Sequence, residues 1–191
     1  MYFYLFLLNP SMQSLYARWR SLFLFCFGIA VATMFIMEWL AGDFWVNDQK
    51  FSILGLELFY SKRHVLDVLT QIKQPAKIAL NYQLVFDFVF MTGIYPAIAS
   101  LCMMTRENLK IAVWRNILFA LAMLQPVAWA FDITENIFLL SWIDKPAIGD
   151  EFSTYHNIVS AKWLIALAGA LTAIMMLLLG RRAGYRKNLR K

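Results

Sequence analysis

Four stretches of the chain are apolar almost without interruption: residues 21–40, 78–104, 111–140 and 156–179. A helix needs about 20 apolar residues to cross a bilayer, and each stretch is close to that length or beyond it. The pattern predicts an all-α membrane protein, a four-transmembrane-helix bundle. At 191 residues it reads as a single membrane domain. The second and third stretches exceed the minimum, so those helices tilt or project into the interface.

Between the first two spans lies an outer segment, residues 41–77. Ser61 is placed to cap a helix over residues 62–74. Val65, Leu66, Leu69 and Ile72 fall on one side of that helix; Lys62, Arg63, Asp67 and Gln71 are polar. The expected element is an extra amphipathic interfacial helix, serving as a surface anchor or as a lid over the bundle. Pro96 and Pro126 fall inside the second and third spans and should kink them, with Gly93 easing the first bend. Ala166, Gly169, Ala170 and Ala173 give the fourth span a small-residue side for close packing. Residues 1–8 are apolar but too short to span, and they lack the basic start of a signal peptide. They read as an interfacial segment, or as sequence ahead of a start at Met12.

Composition agrees with the pattern. Hydrophobic residues make up 61% of the chain, against about 45–50% for an average globular domain. The net charge of +6 raises the question of nucleic acid, but the basic residues collect beside helix ends and not along a soluble face. Their placement sets topology instead. Arg18, Arg20, Arg106, Lys110, Arg115 and the basic tail within residues 180–191 lie on one side, with Glu107 the only acid among them. Acids are plentiful on the other side. The positive-inside rule makes both termini cytoplasmic, in a multi-pass protein of the plasma or inner membrane. The tail also suits anionic lipid headgroups. Cys26 and Cys102 lie in apolar runs and read as free thiols; no cysteine–histidine cluster suggests zinc.

The candidate chemistry lies inside the spans. Asp87, Asp132, Glu135 and Lys162 all fall in apolar stretches, where a charge costs at least about 2.5–3.5 kcal/mol. With the helices alternating in direction, all four lie roughly 7–14 Å below the outer boundary. Asp132 and Glu135 are three residues apart and share a face, which Asn136 joins. Tyr95 lies two turns deeper than Asp87. These six residues form a candidate ligand-binding polar cavity, opening outward above an apolar inner half. Three carboxylates against one ammonium leave excess negative charge, so the group should hold a proton or a cation.

A structural reading stands beside this one. If the third helix ended near Thr134, Glu135 would be interfacial and Asp132–Lys162 a plain salt bridge between helices. Glu38 and His156 sit above the cluster as interfacial residues. Trp39, Trp45 and Trp142 read as an outer aromatic belt, with Trp19 and Trp114 on the inner side.

One further pattern runs from Glu57 to Leu140: Phe59-Tyr60-Ser61, a helix, Tyr82, Asp87 and Tyr95, then Asp132-x-x-Glu135-Asn136. It resembles a family of four-helix integral membrane proteins with a D-x-x-E-N element in the third span. The resemblance implies the topology and a shared polar site, and no reaction. Lys73-Gln74-Pro75 departs from the Gly-Arg-like pattern expected before the second span.

Four functions fit this interior. The cavity could bind a lipid headgroup or small amphiphile, with Lys162 facing a phosphate or carboxylate. The protein could be a structural or assembly subunit, as a homo-oligomer or with a membrane partner. It could be an enzyme acting on a lipid-like substrate, with Asp132 and Glu135 as acid and base or as ligands of a divalent cation. It could carry protons or ions. No cofactor is required, and no metalloprotease, nucleophile-elbow or P-loop signature is present.

Overall fold

The computed structural model describes the backbone of residues 15–188 and the side chains of residues 15–179. The apolar segment at residues 1–8 and the alternative start at Met12 lie outside the described residues. The tail's basic side chains lie outside the described side chains.

Helix α1 spans Leu15–Leu40 and passes through a 3-10 turn, Ala41–Asp43. A short hairpin follows, β1 Trp45–Val46 paired antiparallel with β2 Gln49–Lys50. Its two-residue loop places Asn47 at φ 48° and Asp48 at φ 60°. Asn and Asp tolerate this left-handed region, and two such residues make the turn that matches strand twist. The hairpin brings Phe44 and Phe51 face to face at 4.8 Å, both buried. A π-helical turn, Gly55–Phe59, comes next. A Cβ on Gly55 would collide with the Tyr60 ring, so the turn closes over glycine.

Helix α2 covers Lys62–Gln71, with the Ser61 hydroxyl accepting from His64 N at 3.3 Å. It stops three residues short of the expected end, because α3 already begins at Gln74 with Pro75 in its first turn. Helix α3 is Gln74–Glu107, α4 is Ala112–Asp144 and α5 is Glu151–Asn188. Each starts or ends several residues beyond the expected span at the end carrying residues 41–73, called the upper end below. Pro96 and Pro126 lie inside α3 and α4 without terminating them.

Four helices are therefore long and apolar enough to cross a membrane, as in a multi-pass membrane protein. Phe35, Val113, Ile137, Leu164 and Leu171 are exposed around the bundle. An apolar surface of this extent is unsuited to water.

Helix α1 packs along α3, while α4 packs against both α3 and α5. Gly93 of α3 lies where α1 comes close. A Cβ there would lie 2.7 Å from Ala30 N and from Cys26 O. The upper core joins the connection to the bundle: Phe44, Phe51, Leu56, Val65, Val68 and Leu69 pack with Leu80, Leu139 and Tyr155. Helix α2 thus turns its apolar face into the protein, with Lys62, Arg63 and Asp67 outside. Trp142 is buried in this same cluster against Tyr155, ring centroids 4.9 Å apart, and so is no part of an exposed belt. Trp39 and Trp45 are exposed.

Candidate functional site

Helix α4 presents Asp132, Glu135 and Asn136 on one face because spacings of three and four return to the same side. That face is buried between α3 and α5, and all three side chains are nearly inaccessible. Helix α4 runs on to Asp144, so Glu135 is wholly interior. The premise that would have left it at an interface does not hold. Because the helices extend further up than expected, Asp87, Asp132 and Lys162 lie about 16–20 Å below their upper ends.

Lys162 of α5 is the hub. Its Nζ lies 2.8 Å from Asp132 Oδ1 and 2.5 Å from Glu135 Oε2. A third carboxylate, Glu57 Oε2, lies at 3.4 Å. The ammonium donates hydrogen bonds to Asp132 and Glu57, and Glu135 is held in ion-pair contact. The Tyr95 hydroxyl donates to Asp132 Oδ2 at 2.7 Å. Asn136 Nδ2 donates to Asp87 Oδ2 at 2.8 Å, bringing the fourth carboxylate to the group. Neither carboxylate oxygen of buried Glu135 makes a hydrogen bond among the described residues, so its contact with Lys162 is an ion pair only. All six residues expected to form the site are therefore assembled in one place.

The sequence reading missed Glu57. The π-helical turn lowers it into the bundle, where Trp163 Nε1 donates to its Oε2 at 3.0 Å. The Tyr155 hydroxyl fixes the same turn by donating to Leu56 O at 3.2 Å. A signal was present: Glu57 is the lone charge in an apolar run from Phe51 to Tyr60. Such a run reads as backbone buried in protein at membrane depth.

A cavity of about 750 Å³ begins at this cluster and runs down the molecule. Helix α3 forms its floor, and α1 and α5 face each other across it. Glu57, Asp87, Tyr95, Asp132, Lys162 and Trp163 line its upper part, whereas Glu135 and Asn136 stand behind them. Below, the lining is apolar as far as Met104 and Leu177, with Tyr16 and Arg20 at the far end. Leu24, Phe27, Leu167 and Ile174 line it and are also exposed, so the cavity is a groove open to the side. The apolar half expected beneath the polar site thus carries the continuation of the cavity.

No family model matches the chain, and no curated protein or solved structure matches it. The resemblance drawn over Glu57–Leu140 therefore rests on that residue pattern alone.

Among the described residues, no group of three His, Cys, Asp or Glu side chains is arranged to hold a metal ion. Lys162 Nζ occupies the centre that a cation would take. His156 is half-buried beside Phe152, 6.3 Å between ring centroids, and Glu38 is exposed; neither joins the cluster. Cys26 and Cys102 are free and buried.

Proposed function

We propose that the protein binds an amphiphilic molecule in the lateral groove. The polar head lies against Asp87, Asp132, Tyr95 and Lys162, and the apolar tail lies between α1 and α5. One observation carries this reading: a single cavity joins a buried ionisable cluster to a long apolar groove with exposed rims. A structural salt bridge needs no such groove. At about 750 Å³ the cavity falls within the roughly 300–1,000 Å³ typical of small-molecule sites. Glu135 and Asn136 act as positioning residues, holding Lys162 and Asp87.

The proposed setting is a bilayer with both termini cytoplasmic. Arg18, Arg20, Arg106, Lys110 and Arg115 flank the lower helix ends and support this orientation. The groove then opens to lipid, and its ligand enters from the membrane. Helix α2 lies at the opposite interface as a lid, its apolar face engaged by the core.

Native mass spectrometry of the mildly extracted protein tests the reading. The wild type should retain a bound amphiphile. Ala170→Trp, which fills the groove, should release it while the melting temperature holds. A bare wild-type protein, or equal retention in a folded Ala170→Trp variant, would overturn the proposal.

A further inference from the structure

The composition of the upper groove goes further, and names the kind of head. Resting on the reading of the groove as an amphiphile site, we infer that its ligand carries a cationic head: a protonated amine on a single long alkyl chain.

Three features favour this over the phosphate or carboxylate that Lys162 alone would suggest. First, the Lys162 ammonium is already in ion-pair contact with Asp132, Glu135 and Glu57, which compete with any anionic head for it. Second, four carboxylates meet that single ammonium once Asp87 is included, and three of the four line the cavity. An anionic head would be repelled there, while an ammonium supplies the missing positive charge and donors. Wholly buried Glu135, with neither oxygen hydrogen-bonded, belongs to the same under-compensated group. Third, aromatic rings stand beside the carboxylates: Phe90, Tyr95 and Trp163 line the same end. Ring faces attract cations, and Trp163 already lies 5.4 Å from Lys162 Nζ. Carboxylates and aromatic faces together are the surroundings an ammonium favours.

The tail argument follows from length. From Lys162 to Leu177 the groove follows α5 for about 22 Å, the span of one extended long alkyl chain. The cavity's volume suits one such molecule. Arg20 at the far end disfavours a second ammonium there.

The test compares three probes of equal chain length at neutral pH: hexadecylamine, hexadecanol and hexadecyl phosphate. Each is added to the full-length protein in phosphatidylcholine nanodiscs, and retention is read by native mass spectrometry. The amine should be retained about tenfold better than the other two. In Glu57→Gln and Asp87→Asn the amine-to-alcohol ratio should fall several-fold. A variant that simply folds poorly would lose both probes together, so the ratio isolates charge recognition. Preferential retention of the phosphate or the alcohol would overturn the cationic head while leaving the groove as an amphiphile site. Retention of none of the three would overturn both. An amine preference unchanged in both variants would contradict recognition by these carboxylates.

Discussion

At the residue scale, the cluster is held by one lysine. Burying an ion costs several kcal/mol, and only close oppositely charged partners offset it. Lys162→Met would leave Asp132, Glu135 and Glu57 facing one another without their ammonium. It should destabilise the fold by about 3–5 kcal/mol, the range for breaking a buried pair. Tyr95→Phe removes a single donor from Asp132 Oδ2 and should cost less, about 1–3 kcal/mol. Unfolding titrations in mixed micelles give both values; equal costs, or a stable Lys162→Met protein, would show that the cluster is not organised around the lysine. Asp132, Glu135 and Asn136 could be read from the sequence because helical spacing alone aligns them. Lys162 and Asp87 joined them on depth. Glu57 could not be placed that way, since it arrives on an irregular turn whose path depends on Gly55, Tyr60 and Tyr155.

At the element scale, α1 depends on its seam with α3. Gly93 has backbone atoms of α1 at 2.7 Å from where a Cβ would be, and backbone cannot yield as a flexible side chain can. Gly93→Ala should lower stability by about 1–3 kcal/mol through overpacking. Gly28, on α1, has nothing within 4 Å of the same position. Gly28→Ala should be neutral or stabilising by up to about 1 kcal/mol, from helix propensity. Thermal unfolding of the two variants side by side checks this; a tolerant Gly93 would mean that α1 is loosely held. The sequence suggested Gly93 as relief for a proline bend, and its role as a helix contact needed the partner helix in view. Trp142 taught the same lesson. Its place at the upper end suggested a belt, but the 41–73 connection folds over it and makes it core.

At the scale of the whole molecule, four helices long and apolar enough to span were legible because length and apolarity are written along the chain; the orientation proposed from the basic flanks is a matter for experiment. The groove was not legible. It exists because α1 leans on α3 and leaves α5 across a gap, and no local pattern encodes which neighbours fail to touch. Topology is directly testable with cysteine labelling, since Cys26 and Cys102 are buried. In intact cells Asp48→Cys should react with an impermeant maleimide, and Asn108→Cys should react only after lysis. The reverse pattern would invert the proposed orientation.

The central claim is that the groove between α1 and α5 holds an amphiphile with its head at the Lys162 cluster. Photo-crosslinking tests it most directly, using a long-chain amine with a diazirine near the end of its tail and mass mapping of the adducts. The expected adducts fall on groove-lining Ala170, Ile174 and Leu177, and are displaced by excess unlabelled amine. Labelling spread equally over Leu164 and Leu171, which are exposed but do not line the groove, would contradict it.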